Sequence, residues 1–202
     1  MANRNTVGFG LIPQGTVGST MASQGQGKYL IDAGYNQDLF QGCSVKHKAG
    51  YIVEASSTRT FLSIGVFNGI FYNDASTKKP TFANFYNQPI TPATSEDVTC
   101  FVIDNPFQLF VGATSAAVTQ ANVGRTVSFA AAVPTGSEIS GQCSNTMDIG
   151  NIHDTNNQWR IIRNAEDPSN NDQTAQYCSM VFAQNLGQYL CNSATVGNDW
   201  TI

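Results

Sequence analysis

The sequence predicts an all-β protein: a single small β-barrel or sandwich domain with one short helix and an extended N-terminal arm. Short runs rich in β-branched and aromatic residues recur along the chain, and Gly and polar turn residues separate them. Only 12% of the residues are charged while 41% are hydrophobic, a balance opposite to that of disordered chains. At 202 residues the chain is long enough to fold as one such domain without disulfides or metal.

The first 27 residues predict the arm, and residues 28–202 predict the β domain. Residues 7–27 are Gly-rich and uncharged, yet they include Phe9, Leu11 and Ile12. Such apolar side chains need a surface to lie on, which is either the chain's own core or another subunit. We therefore take these three residues as candidate contact residues, together with Trp200 near the other end of the sequence, because an exposed tryptophan tends to pack on a partner.

The β domain contains ten runs with the composition of strands. Gly65 and Gly69 lie inside the longest apolar run and predict a bulge or a bend in it. Between the runs, residues 73–94 carry three prolines and predict a long surface loop with aromatic anchors. The predicted strands are residues 28–32, 43–47, 50–55, 61–72, 98–103, 107–111, 125–133, 144–150, 158–165 and 177–184.

The segment DNPFQLF, residues 104–110, predicts a hairpin-like turn between two apolar runs. Pro106 fixes its own φ and pushes Asn105 towards an extended conformation, while the side chain of Asp104 can accept a backbone hydrogen bond. The preceding run VTCFVI lacks alternation, which predicts a strand that is covered on both faces.

The short helix is predicted for residues 113–124. This segment places Ala116, Ala117, Ala121 and Val123 near helical spacing. A Thr-Ser pair at its start is a plausible N-cap, and Gly124 is a typical stop signal.

Groups that could carry chemistry are sparse, and we predict no catalytic residue, no metal site and no cofactor. His47 lies between two lysines on a predicted strand edge, where a solvated side chain is expected. His153 and Asp154 are adjacent in a polar loop and are not placed for a relay. The five cysteines have long spacings and no CxxC motif, which predicts small, reduced, buried side chains.

Two carboxylate pairs keep a hydrolase open as one hypothesis. The pairs are Glu96 with Asp97 and Glu166 with Asp167. The acid and base of glycosidases come together from distant strands, so spacing alone does not exclude such a site. The run DPSNND, residues 167–172, offers oxygen ligands for calcium but lacks the central Gly and closing Glu of an EF-hand loop.

Charge and hydropathy limit the partners. The formal net charge is −4, and no stripe of Lys and Arg is present, so we expect no nucleic-acid partner. The N-terminal residues lack the apolar run of a signal peptide, and the most apolar run is too short for a membrane span. We therefore expect synthesis in the cytoplasm and no membrane partner.

Five segments, taken in their order, carry a resemblance to a known family. They are MANRNTVGFGLIP, SIGVFNGIFY, DNPFQLFVGATSAAVTQANVGRTVSF, QWRIIRNAEDPSNND and SMVFAQNLGQY. Together they resemble small virion proteins of marine and cyanobacterial podovirus-type and related tailed phages, which act as head decoration or capsid-stabilising (cement) proteins. The likeness extends from Asn3 to about Tyr189, and the residues after Tyr189 do not match.

The resemblance implies a non-enzymatic β-barrel-like protein on the outer surface of an expanded phage capsid. It implies the major capsid protein as partner, a homotrimer on local threefold positions, and localisation in the virion after synthesis in the host cytoplasm. The alternative is a virion-attached receptor- or carbohydrate-binding module, such as a head fibre or tail appendage, that uses Trp200 with Tyr, Asn and Gln side chains. Clustered aromatics on one face would favour this module, and apolar exposure along residues 7–12 would favour the capsid role.

Overall fold

The computed structural model of the protein describes residues 2–18, 25–55, 62–88, 90–94 and 96–189. Within these ranges the chain forms eleven β-strands in two antiparallel sheets and two short 3₁₀ turns. The sheets form a sandwich-like arrangement and do not close into a barrel. The all-β prediction is therefore confirmed, with the sandwich as its architecture. No helix in the described ranges is long and apolar enough to cross a membrane.

The first sheet has five strands, of which the N-terminal one comes from the predicted arm. They are β1 (Leu11–Thr16), β8 (Gln108–Ala113), β9 (Thr126–Val127), β10 (Trp159–Asn164) and β11 (Ser179–Gln184). Their order across the sheet is β1-β8-β11-β10-β9, so β1 is an edge strand.

The second sheet has six strands. They are β2 (Gly27–Ile31), β3 (Ser44–Lys48), β4 (Tyr51–Glu54), β5 (Gly65–Asn73), β6 (Pro80–Ala83) and β7 (Val98–Ile103). Their order is β2-β7-β5-β3-β4, and β6 pairs with β5 beside this path. Thus β6 lies inside the segment 73–94 that the sequence predicts as a loop, while Tyr86 of that segment is fully buried and is one of its aromatic anchors.

Each sheet has its own apolar cluster. The cluster of the five-stranded sheet contains Phe110, Trp159 and Phe182, and the Trp159 ring meets Phe110 edge-on at 5.4 Å between ring centroids. Val66 of β5 also belongs to it, so one end of the six-stranded sheet packs here. The other cluster lies on the opposite face of the six-stranded sheet, where loop residues such as Leu39 cover it.

The predicted hairpin at DNPFQLF is wrong, because β7 and β8 belong to different sheets. The turn itself forms as an Asx turn: the Phe107 N–H donates to the Asn105 side-chain oxygen at 3.0 Å, and the Gln108 N–H donates to the Asn105 carbonyl at 3.0 Å. Asp104 does not close the turn, because its carboxylate accepts the Tyr29 hydroxyl at 2.5 Å. The segment therefore carries the chain from one sheet to the other.

The lack of alternation in β7 predicts a strand that is covered on both faces, and this prediction is wrong. Val98, Cys100 and Val102 are fully buried, whereas Thr99 and Phe101 between them are only half-buried. The run lacks alternation because its solvent side is apolar as well.

The short helix predicted for residues 113–124 is present only as the 3₁₀ turn Gln120–Asn122. The Val118 N–H donates to the Gln173 carbonyl at 2.8 Å, and the Thr114 carbonyl, which would accept it in a helix, accepts the Tyr177 N–H at 2.9 Å. These groups are then not available for a helical ladder, so tertiary hydrogen bonds override the alanine spacing.

Two further strand predictions meet different outcomes. Gly69 has a φ of +145° at a break in the register between β5 and β7, which confirms the predicted bulge. Residues 144–150 do not form a strand, and Met147 makes only isolated bridges with Thr114 and Phe129.

Candidate binding surfaces

Two of the four carboxylates singled out by the sequence, Asp97 and Asp167, serve local structure. Asp97 accepts the Tyr51 hydroxyl at 3.1 Å, and Asp167 accepts the Ser169 N–H at 2.9 Å and the Asn170 amide at 2.7 Å. These bonds, with that of Asn170 the strongest, lower the pKa of Asp167. Among the described residues, no group of three His, Cys, Asp or Glu side chains could hold a metal ion.

The run DPSNND, considered above as a calcium loop, holds the N-terminal residues instead. Asn170 accepts the Asn5 N–H at 2.8 Å, and the Asp172 N–H donates to the Asn3 side-chain oxygen at 3.0 Å. The Arg4 N–H donates to the Ser169 carbonyl at 3.1 Å. The Asn170 side-chain oxygen and the Ser169 carbonyl therefore fix the N-terminal residues, while the carboxylates of Asp167 and Asp172 accept hydrogen bonds from their own neighbours in the chain.

His47 is not the solvated residue that the sequence predicts. Its ring meets Tyr29 edge-on at 5.0 Å between centroids, and its Nε2 lies 3.3 Å from the Tyr189 hydroxyl. The Tyr189 hydroxyl lies 3.1 Å from that of Tyr29, which in turn donates to Asp104. Burial lowers the pKa of His47, and the backbone of Tyr51 opposes this in part. The four side chains form a chain of hydrogen bonds between β2, β3 and the segment after β11.

The second histidine and the cysteines are structural. His153 exchanges backbone hydrogen bonds with Thr126, while its neighbour Asp154 forms an ion pair with Arg125 at 3.0 Å, so the two make no relay. The four described cysteines are buried and free, as predicted, and burial raises the pKa of Cys100 to about 12. Cys191 lies outside the described residues.

The arm divides its apolar residues between the core and the surface. Leu11 is buried in the cluster of the five-stranded sheet, and Phe9 is half-buried. Val7 is 62% exposed and Ile12 is 43% exposed. The chain's own core is therefore the surface on which Leu11 lies, while Val7 and Ile12 remain open to a partner. Trp200 lies outside the described residues.

A second apolar surface covers the solvent side of the six-stranded sheet, and its residues are not among the contact residues predicted from the sequence. Phe82 pairs in register with Phe71, Phe71 with Thr99, and Thr99 with Leu30, so these side chains form a row across four strands. Phe101 lies on the same face two residues after Thr99. We call Leu30, Phe71, Phe82 and Phe101 the phenylalanine face.

The phenylalanine face is unusual in its exposure. Phe82 is 73% exposed and Leu30 is 42% exposed, and the rings of Phe71 and Phe82 contact each other at 4.6 Å between centroids. Lys28 is the only charged residue on this side of the paired strands β2, β7, β5 and β6. The signal in the sequence is the lack of alternation in β7, which predicts a strand covered on both faces, whereas Thr99 and Phe101 on this face are only half-buried.

On the opposite side of β5 and β6 lies an open cleft of about 380 Å³. Its apolar wall includes Tyr72 and Phe85, and its polar rim includes Asp74, Asn87 and Thr91. The cleft and the phenylalanine face thus use alternate residues of the same two strands.

Comparison with known proteins returns no relative: no protein-family model, no curated protein and no solved structure matches this chain.

Proposed function

We propose that the protein is a non-enzymatic virion protein that binds the outer surface of a bacteriophage capsid and stabilises the expanded head. The observation that carries the proposal is the phenylalanine face, where Phe82 exposes 73% of its surface and Lys28 is the one charged residue on this side of β2, β7, β5 and β6. The capsid as partner comes from the resemblance of the sequence to phage head decoration proteins.

The composition of this face favours a protein partner. Protein interfaces are enriched in aromatic residues and depleted in charge at their centre, because buried ions lose hydration. Clustered aromatics on one face are also the feature expected for a carbohydrate-binding module. In the row across the four strands, however, Thr99 has the only hydroxyl, and no side chain of the row has an amide or a carboxylate. A sugar needs several such groups to fix its orientation, and this face does not provide them.

The arm supplies the second apolar contact. Val7 and Ile12 are exposed, and apolar exposure along residues 7–12 is the feature expected for the capsid role. Asn3 and Asn5 fix the arm on its own domain. A partner therefore meets a preformed edge, so little ordering of the arm opposes binding. In a homotrimer on a local threefold position, three such surfaces engage the major capsid protein together, and their combined hold exceeds that of one.

Co-sedimentation with purified mature capsids that lack the protein tests this proposal. We expect saturable binding in multiples of three copies per local threefold position, and capsids that survive heating better once they are loaded. Replacing Phe82 by Gln is expected to weaken binding about tenfold or more, because exposed aromatic anchors dominate interface energies. Ile139→Gln is the matched control, since Ile139 is 99% exposed in a turn outside both apolar surfaces.

Two results would contradict the proposal. The folded protein could fail to sediment with capsids at any concentration, or Phe82→Gln and Ile139→Gln could bind equally well. Binding to host-cell glycans without binding to capsids would instead support the receptor-binding module.

A further inference from the structure

The cleft beside β6 has the groups of a small-molecule site that the capsid role does not use. Its volume of about 380 Å³ lies near the lower end of small-molecule pockets, which span about 300–1,000 Å³. The end of β5, the end of β6 and residues 85–87 and 90–91 form its walls. These elements are held together, because Asp74 bridges to Pro92 and the Ala93 N–H donates to the Asn73 carbonyl at 2.8 Å.

Asp74 presents a fixed acceptor to the cleft. Its Oδ1 accepts the Ser76 N–H at 2.9 Å, the Thr77 N–H at 2.8 Å and the Thr77 hydroxyl at 3.1 Å. These bonds, led by that of the Thr77 backbone, and the charge of Lys78 lower the pKa of Asp74 and keep it ionised. Among the described residues, nothing donates to its Oδ2. A preorganised carboxylate with one free oxygen therefore stands at the rim.

Other polar groups of the rim are equally uncommitted. The Ser76 hydroxyl, the Asn87 amide and the Thr91 hydroxyl line the cleft and make no side-chain hydrogen bond to another described residue. They offer donors as well as acceptors. A ligand with many hydroxyls can satisfy this mixture, whereas a purely cationic ligand would leave the donors unused.

The inner wall is apolar and partly aromatic. Tyr72, Ala83, Phe85 and Ile90 pack against the cluster of the six-stranded sheet, and Phe85 stacks on Phe40 with ring planes 7° apart. The wall is thereby packed from behind by the core. Rings and aliphatic groups of this kind pack against the C–H groups of a pyranose, while its hydroxyls face the polar rim.

The local charge selects among ligands. The Asp74 carboxylate opposes anions, and the neighbouring Lys78 ammonium compensates it, so the site has little net attraction for cations. We infer that this cleft binds a neutral sugar, one pyranose ring deep, with Asp74 and Asn87 as its hydrogen-bonding groups and Tyr72 and Phe85 as its packing surface. The site is separate from the proposed capsid surface, because it lies on the other side of β5 and β6.

Ligand-observed NMR on the full chain tests the inference. The probes are the methyl pyranosides of glucose, galactose and mannose and N-acetylglucosamine, each at about 20 mM, since a single-ring site of this kind binds in the millimolar range. We expect saturation transfer to at least one probe, with amide shifts of the labelled protein confined to residues 70–76 and 83–93. Tetramethylammonium and sulfate serve as cationic and anionic probes and are expected not to bind.

Three variants assign the site. Asp74→Asn keeps a side-chain oxygen for the turn but removes the charge and the free acceptor, and we expect about tenfold weaker sugar binding. Asn87→Ala is expected to weaken it several-fold. Gln88→Ala, in an exposed neighbour outside the lining, is the matched control and should bind as the natural chain does.

The inference is overturned if no probe binds, if tetramethylammonium or sulfate binds in place of the sugars, if the shifts lie elsewhere, or if Asp74→Asn and Asn87→Ala bind sugar unchanged. Amide spectra of both variants show whether the turn still folds. Capsid co-sedimentation of Asp74→Asn is expected to be unchanged, so failure of the sugar site and failure of the capsid role are distinguishable.

Discussion

The two sheets differ in what their side chains do. The five-stranded sheet places its largest aromatic residues, Trp159 and Phe110, in a fully buried cluster. The six-stranded sheet has one face closed by loops and leaves Phe71 and Phe82 on the other, in contact with solvent. Similar residue types therefore form a buried core in one sheet and an exposed surface in the other, and their neighbours across the strands decide which.

Among single substitutions, the largest effect is expected at the centre of the five-stranded sheet. Trp159 is fully buried, and replacing it by Ala removes its contact with Phe110 and leaves a cavity, which should destabilise the fold by about 3–5 kcal/mol. Urea unfolding followed by circular dichroism measures this. Phe82→Gln should shift the midpoint little, and equal destabilisation by both substitutions would remove the distinction between the sheets.

The next prediction compares two adjacent residues of β1, of which Leu11 is buried and Ile12 is exposed. Leu11→Ala is expected to cost about 2–4 kcal/mol, because Leu11 belongs to the buried cluster. Ile12→Ser should change the free energy of unfolding by less than about 0.5 kcal/mol, because Ile12 points to solvent. The same urea titration measures both.

Trimming the arm tests the same contrast on a larger scale. A chain that begins at Lys28 lacks β1 and Leu11, and we expect it to unfold or lose most of its stability. A trimmed chain that stays fully folded and only assembles less well would show that the arm serves a partner alone.

A smaller effect is expected at the bulge of the six-stranded sheet. A Cβ on Gly69 would lie 2.7 Å from the Ala83 carbonyl, at a φ of +145° that side chains rarely adopt. Gly69→Ala should therefore cost about 1–3 kcal/mol and loosen β6. Amide hydrogen exchange of residues 80–83 is the measurement. Gly50→Ala is the control: its φ of +86° is also positive, but no atom lies within 4 Å of its added Cβ, so it separates the clash from the backbone strain.

How far the sequence predicts this structure depends on the range of the interactions. Strand composition locates β2, β7, β10 and β11 closely, because that signal is local. Strand pairing is not local. The turn at Asn105 resembles a hairpin turn in sequence, yet β7 pairs with β2 and β5, and β8 pairs with β1 and β11. The sequence does not decide which surface the arm contacts, because the burial of Leu11 depends on packing against strands that are distant in the chain.

The candidate sites show the same limit. The lack of alternation in β7 marked an apolar second face but could not say whether anything covers it, since the covering residues come from distant segments. The cleft joins residues 70–76, 83–87 and 90–91, and no motif in the sequence links them. Surfaces assembled from several strands leave only weak traces in each strand.

The smallest effect concerns the junction of the two sheets, where Gln188 and Tyr189, after β11, bind His47 of β3. The backbone N–H of His47 donates to the side-chain oxygen of Gln188 at 2.7 Å, and the His47 ring contacts Tyr189. Because burial lowers the pKa of His47, the unfolded chain takes up a proton first. The stabilising contribution is therefore present above about pH 6.5, the ordinary value, and is lost as the pH falls through the lower folded value.

The urea midpoint should accordingly decline between about pH 7 and pH 5 in the natural chain and stay flatter in His47→Gln. The carboxylates with lowered pKa, Asp74, Asp167 and Asp172, act in the same direction but only below about pH 4, so the two windows separate. Because the His47 ring is only half-buried, water reduces the shift and the effect is modest. Identical pH profiles for the two chains would mean that the junction holds the sheets together by packing and backbone bonds alone.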